Sequence, residues 1–384
     1  MIGLIEIDNF RSIKKSEIKL ERINVLIGSN GSGKSNFLAF FKLVRTILDQ
    51  DMINYFKRRG GFSNVKYKGS PKTENIEGIV EFDNTNAFFF EIESGNNDIG
   101  ILKQDGDWWN GYHKKTTKIS DIYEKEINHH NWHYQGHPNS PKPGSIIKDK
   151  LTDPNTSSRE HVRYSAVYNQ LIQINIFHFH DTSPQSPLRQ QSSVNDNRKL
   201  KEDGENIASY LYKIQEKEPF NFKLIESTIA SVFPNFLRFN LEALELNKGV
   251  IELSWSDSRF PDEYMNASHF SDGTLRFIAL STLLLQKRTP PIIIIDEPEL
   301  GLHPFAIQKL AAMLRNAAEK GSQIVIATQS VDLLNYFNAD EIMTVDYDKE
   351  QTIFKRLDPK DLTAWLGDYS LGDLWQKNII GGQV

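Results

Sequence analysis

The chain has 384 residues, 39% hydrophobic and 25% charged, with a net charge of −5 and no cysteine. This composition can bury a core and excludes disulfides and thiolate chemistry, as in a reducing cytoplasm. It also excludes coating nucleic acid by bulk charge, although a local basic patch stays open. Glu6 and Asp8 argue against a secretory leader, and the longest apolar run, FIALSTLLL (277–285), is roughly half a membrane span. The expectation is a soluble cytoplasmic protein without membrane contact.

In chain order, GLIEIDNF (3–10) and INVLIG (23–28) read as strands. SNFLAFFKLVRTILD (35–49) puts Phe37, Phe40, Phe41, Val44, Ile47 and Leu48 at helical spacing. IEGIVEFDNTNAFFFEIES (76–94) predicts a hairpin turning at Asp83–Asn86. Residues 105–160 are polar, with Trp108, Trp109 and Trp132 scattered among them, and predict an irregular surface insertion. SSREHVRYSAVYNQLIQ (157–173) predicts a helix, INIFHFH (174–180) a strand, 181–198 a polar loop and 202–232 mostly helix. FLRFNLEALELNKGVIELSWS (236–256) predicts a second hairpin. SHFSDGTLRFIAL (268–280) is a small-residue turn opening a helix whose apolar face carries Phe277, Ile278, Leu280 and Leu284. PIIIID (291–296), SQIVIAT (322–328) and DEIMTVDYD (340–348) predict strands, and PFAIQKLAAMLRNAAEK (304–320) a helix. Strands alternating with helices imply an α/β layer fold with a mostly parallel sheet. There is no internal repeat and no sustained heptad pattern.

GSNGSGKS, Gly28 to Ser35, matches G-x-x-x-x-G-K-[ST] between a predicted strand and a predicted helix. Gly28, Gly31 and Gly33 permit positive φ and close approach of a polyphosphate to the backbone, while the loop N–H groups line an anion site. The ATP-binding set is Gly28, Ser29, Asn30, Gly31, Ser32, Gly33, Lys34, Ser35 and Asn36. Within it, Lys34 would bridge the β- and γ-phosphates and the Ser35 hydroxyl would ligate Mg²⁺. The run IIIID suits a buried parallel strand, with Asp296 and Glu297 at its carboxyl end, where such sheets bind ligands. Asp296 is expected to hold Mg²⁺ through water and Glu297 to polarise the attacking water. In ATQS (327–330), Gln329 can reach a γ-phosphate and report its loss, while Ser330 can cap the next helix.

Other signals read as ordinary structure. Asp346 and Asp348 suit a hairpin turn better than a metal centre. His129, His133 and His137 lie at i, i+4, i+8, but Asn131, Gly136 and Pro138 spoil a helix, so a polar loop is expected. His178 and His180 would share one face of a strand, with strand packing and nucleotide sensing both open. Lys114, Lys115 and Lys118, near Trp108, Trp109 and Tyr112, suit a solvated insertion or a contact with nucleic acid or protein.

Taken together, NFRS (Asn9 to Ser12), the glycine loop, FSDGTLR (270–276), DEPELGLHP (296–304) and TQS (328–330) resemble the ATPase heads of the ABC superfamily, in the RecF/SMC/OLD branch. FHDTS (179–183), DGENIASYLY (203–212) and YSLGDLWQKNIIGG (369–382) are similar to stand-alone prokaryotic AAA-family ATPases often found in anti-phage defence operons. The resemblance covers nearly the whole chain except about 105–150. It implies an ABC-type P-loop ATPase head, α/β, with a mostly parallel core sheet, an antiparallel β part and a helical signature lobe. The ATPase core would comprise 1–180 and 286–384, and the signature lobe 181–285. ATP and Mg²⁺ are the implied ligands, and slow ATP hydrolysis the implied activity. Ser271 and Gly273, with Asp272 shaping the turn, would close over the γ-phosphate of a second subunit, so that a homodimer sandwiches two ATP. Arg11 would touch nucleotide or partner. The implied role is a switch for a separately encoded effector.

Several features depart from the family pattern. Gln329 stands where ABC proteins often carry His, and the signature reads S-D-G rather than S-G-G. The gap of about 235 residues between loop and signature lacks the coiled coil of SMC proteins. About 55 residues of this sequence follow TQS, so the nuclease domain that OLD proteins carry after the ATPase is not expected within it. A RecF-like clamp that binds DNA directly and a scaffold that binds ATP without hydrolysing it are the alternatives.

Overall fold

The computed structural model describes residues 1–68, 75–83, 86–108, 133–136, 145–365 and 367–382. The chain forms two contact-dense units, one of Met1–Ile174, Asp340–Leu357 and Asn378–Val384, the other of Asn175–Ala339 and Asp358–Lys377.

In the first unit, β1 (Ile2–Phe10), β2 (Ile13–Lys19), β4 (Ile76–Phe82), β5 (Ala87–Ser94), β6 (Gly100–Trp108) and β7 (His133–Gly136) form an antiparallel sheet in the order β2-β1-β4-β5-β6-β7. Its register aligns Ile5 with Val80 and Val80 with Phe88, and likewise Ile7 with Gly78 and Gly78 with Phe90. That apolar face meets helix α1 (Lys34–Asp49), where Phe40 stacks on Phe90 at 5.8 Å and meets Phe10 edge-on at 6.0 Å. A Cβ on Gly78 would come within 2.6 Å of the Phe90 ring, so glycine is what lets Phe40 and Phe90 stack here. β3 (Ile23–Ile27), buried at all five positions, pairs in parallel with β17 (Ile342–Asp348), and β18 (Gln351–Arg356) closes a hairpin on β17. Phe37 of α1 packs on Phe354 of β18 at 5.3 Å. The glycine loop thus joins a fully buried strand to a helix anchored on two sides.

Two short helices, α2 (Met52–Arg58) and α3 (Phe62–Val65), follow α1, and α4 (Ile146–Thr152) and α5 (Ser158–Leu171) complete this unit. The expectation of an irregular insertion over 105–160 is corrected at both ends. β6 continues to Trp108, β7 pairs with it, and Ser145 caps α4 while donating to the buried Asp105 carboxylate at 2.5 Å. Trp109, Tyr112, Lys114, Lys115, Lys118, His129, Trp132 and His137 lie outside the described residues. Strand β2 escapes a periodicity reading because its buried Ile13 and Ile18 sit five apart, an odd spacing.

In the second unit, β8 (Ile174–Phe177), β15 (Ile292–Asp296) and β16 (Gln323–Thr328) run in the order β16-β15-β8. β15 and β16 are parallel and in register from Ile292↔Gln323 to Asp296↔Ala327. β8 stops at Phe177, so His178 and His180 do not alternate along a strand as expected. α6 (Ile207–Lys217), α7 (Pro219–Val232), α8 (Asp272–Leu285), α9 (Pro304–Glu319), α10 (Val331–Leu334) and α11 (Leu371–Gln376) are its helices. α8 is buried at every position from Leu275 to Leu285, which fits a helix packed between α7 and α9.

The single hairpin expected over 236–256 is instead divided between two small sheets. β10 (Phe236–Phe239) pairs with β13 (Ser254–Asp257), which also pairs with β14 (Phe260–Asn266). β11 (Ala243–Leu244) pairs with β12 (Asn247–Ile251), which also holds β9 (Ser192–Ser193). Trp255 of β13 stacks on Phe270 at 4.6 Å and on Phe236 at 6.2 Å, so an aromatic cluster supports the turn before α8.

Candidate functional site: a glycine loop and an acid–amide pair

In the first unit, Gly31 and Gly33 have φ of 85° and 115°. A Cβ on Gly33 would collide with the Thr352 side chain, and one on Gly28 with the Val345 carbonyl and the Ser32 hydroxyl. The loop is therefore as tight as its glycines allow. α1 opens at Gly33 with no side-chain cap, and the Ser32 hydroxyl is buried without a partner. A donor-rich helix start with an unsatisfied hydroxyl fits a phosphate chain. Lys34 is buried, its ammonium donating to the carbonyls of Gly28 (2.6 Å) and Ser29 (2.9 Å), while Ser35 is exposed. Arg11, in the turn after β1, donates to Asn36 at 3.0 Å and has φ of 52°. Burial pulls its guanidinium below the usual arginine range, with Arg59 adding to the effect and Tyr55 opposing it.

In the second unit the ends of β15 and β16 bring Glu297 and Gln329 together, the Gln329 amide donating to the Glu297 carboxylate at 2.5 Å. Glu297 has φ of 38°, and its N–H donates to Ala327 at 2.8 Å. Such a backbone in a non-glycine residue costs on the order of 1 kcal/mol and clusters at functional sites. Asp296 is half-buried, and its carbonyl accepts from the His180 ring at 2.6 Å. Ser330 caps α10, its hydroxyl accepting from Leu333 N–H, as expected.

Glu299, two residues past Glu297, was not singled out from sequence. It is buried. Its Oε1 accepts from the Thr328 hydroxyl (2.5 Å) and from the Gln329 N–H (3.3 Å), and its Oε2 has no partner. Burial pushes its carboxyl up, against the pull of those hydrogen bonds. The signal was an acid following Pro298 in a turn, where a capping role would have been the natural reading.

Ser271 and Asp272 are exposed at the start of α8, and Ser271 caps its own helix by accepting from Thr274 N–H at 3.2 Å. A Cβ on Gly273 would collide with the Gly301 carbonyl, so glycine here lets α8 approach the turn after Glu297. Two arginines, Arg189 half-buried and Arg276 buried, hold the start of α8, and Arg276 also reaches that turn. Arg189 pairs with Asp272 at 3.1 Å and donates to the carbonyls of Thr182, Ala267 and Phe270. Arg276 donates to the carbonyls of Phe179 (3.0 Å), His180 (3.0 Å) and Leu300. Burial lowers its pKa, while Asp272, Glu297 and Glu299 pull it back up. A lone cation inside the otherwise apolar run LRFIAL was the available signal for Arg276.

Asp346 accepts from Gly382 N–H at 2.7 Å beside the β17–β18 turn. Among the described residues, no group of three or more His, Asp or Glu is placed to hold a metal ion, and no helix is long and apolar enough to cross a membrane.

A glycine loop between buried strand and helix, and an acid–amide pair at the ends of neighbouring parallel strands, define a P-loop ATPase head of the ABC/SMC/OLD type. The family model described as "AAA domain, putative AbiEii toxin, Type IV TA system" matches residues 23–335, and the chain belongs to that family. The chain is 24% identical to the Old nuclease of Escherichia phage P2, across 92% of this chain and 61% of the nuclease, so it spans less than two thirds of that relative. It is also 24% identical to the energy-coupling factor transporter ATP-binding protein EcfA2 of Mycoplasmopsis synoviae, across 70% of this chain and 72% of that protein. Among solved structures, an Smc head bound to the C-winged helix domain of ScpA matches with a TM-score of 0.55 at 16% identity, over 94% of this chain and 99% of that one. This last likeness establishes the fold as that of an SMC-type head.

Proposed function

We propose that the chain is an ATP-driven switch. It binds ATP with Mg²⁺, pairs with a second copy around two nucleotides, hydrolyses them slowly and so regulates a separately encoded effector in anti-phage defence. The observation that carries this reading is the 2.5 Å contact between Gln329 and Glu297. A carboxylate placed to polarise water is held by an amide that can also meet a γ-phosphate, so loss of the phosphate can change the pair.

The remaining roles follow from the chemistry of each group. Gly28 to Asn36 and Arg11 are assigned to the nucleotide, with Lys34 exchanging the loop's own carbonyls for the β- and γ-phosphates. Ser35 and Asp296 are each assigned to Mg²⁺, which when bound would neutralise phosphate charge. Exposed Ser271, with Asp272 and Gly273, is assigned to the γ-phosphate held by the second copy. The defence role is supported by the family's description and by the likeness to the phage Old nuclease.

Phosphate release by the wild type and by Glu297→Gln tests the reading. Slow wild-type turnover is expected, with about a hundredfold loss in the variant and ATP binding retained. Unchanged release by the variant would remove Glu297 from the chemistry. ATP binding without wild-type release would favour a non-hydrolysing scaffold.

A further inference from the structure

Behind the glycine loop runs a row of side chains, two of whose residues precede the family match at 23–335 and one of which follows it. The Thr352 hydroxyl donates to the Ser32 carbonyl at 2.8 Å. Ser12 Oγ lies 2.7 Å from Thr352 Oγ1. Thr352 has a single hydroxyl hydrogen, already given to the carbonyl, so Ser12 must be the donor between them. Ser12 in turn accepts from the Asn36 amide at 2.7 Å, and Asn36 accepts from Arg11 at 3.0 Å. One polarity therefore runs from guanidinium to amide, to hydroxyl, to hydroxyl, to the loop carbonyl. Thr352 is buried, and its N–H donates to the Ser12 carbonyl at 2.7 Å, tying β18 to the β1–β2 turn. The turn before it is anchored by the Tyr67 hydroxyl on the Glu350 carbonyl at 2.9 Å.

The Ser32 carbonyl belongs to the same peptide unit as the Gly33 N–H. In a trans peptide the two point in opposite directions. Holding the carbonyl back toward Thr352 therefore aims the N–H forward. Glycine at position 33 accepts either sign of φ, so the backbone alone does not hold that peptide against a flip, and a flip would present a carbonyl oxygen to phosphate. We propose that Thr352, driven through Ser12, Asn36 and Arg11, is a positioning residue that locks the Ser32–Gly33 peptide in its anion-binding orientation. This rests on the reading that Gly28–Ser35 binds ATP.

The test is ATP affinity and steady-state kinetics on the full chain, with Lys34→Ala as the control for the underlying reading. Thr352→Val keeps the branched shape and removes the hydroxyl. It is expected to weaken ATP binding and raise KM about tenfold with kcat within about twofold of wild type, the scale of one hydrogen bond. Thr352→Ser should restore affinity. Asn36→Asp keeps a partner for Arg11 but cannot donate to Ser12, so it should lose affinity as Thr352→Val does. Ser12→Ala should also lose affinity, and keeps the test open should Thr352→Val fail to fold. Wild-type affinity in Thr352→Val or Asn36→Asp, in a chain that Lys34→Ala prevents from binding, overturns the positioning role alone. A wild type that binds no ATP overturns both readings.

Discussion

Glu299 shows how much a single buried carboxyl can organise. Its Oε1 accepts from both Thr328 and Gln329, the residues that place the Gln329 amide on Glu297. Glu299→Leu would leave the Thr328 hydroxyl hydrogen without its acceptor, although the oxygen keeps the Ser330 N–H, and would leave the Gln329 N–H without this partner, at about 1–3 kcal/mol each. Glu299→Gln can still accept at its amide oxygen. Leucine is therefore expected to lower phosphate release at least about tenfold with ATP affinity unchanged, and glutamine to retain most of it. Equal release by the two variants would separate Glu299 from the switch. At this scale the sequence displays residues whose chemistry dictates their type, such as Lys34, Asp296 and Glu297. It conceals Glu299, Arg276 and Thr352, because their partners are backbone or hydroxyl groups distant in the chain.

At the scale of elements, the acidic face of the first unit's sheet carries a pH dependence. Glu81 on β4 is pushed up to about 7 by burial, with Glu6, Glu17 and Asp83 adding repulsion. Glu6 is also raised, by burial and then by Glu17, with Lys15 opposing. A carboxyl whose folded pKa exceeds its unfolded value of 4.5 binds its proton more tightly in the native state. Its favourable contribution is complete below the unfolded value and is lost as pH rises through about 7. Glu81→Gln should thus melt higher than wild type at pH 8, the gap narrowing toward pH 5 in thermal scans; a constant gap would dissociate Glu81 from the effect. Strands were legible where one face is apolar at period two or the whole run is buried, as in β5 and β15. They were not where no such face exists: β14, FPDEYMN, buries no side chain. The β10–β13 pairing joins segments separated by another strand pair, which local periodicity does not encode.

For the whole molecule, the proposed sandwich makes every catalytic pocket a composite of two chains, and mixing can test it. Lys34→Ala disables the glycine loop. Ser271→Asp keeps the α8 cap, since Asp serves as well as Ser at that position, but places a negative charge where the partner's γ-phosphate would sit. Each variant alone is expected to be inactive. In a mixed dimer, the intact loop of the Ser271→Asp chain faces the intact signature of the Lys34→Ala chain, giving one live pocket. The other pocket combines both lesions and is dead. With random pairing at equal amounts, half the dimers are mixed and each keeps one of two pockets, so about a quarter of wild-type phosphate release should return. A pocket completed within one chain predicts no recovery at any ratio, because each chain then carries its own lesion. Recovery should also depend on total protein concentration, since the active species forms only by association.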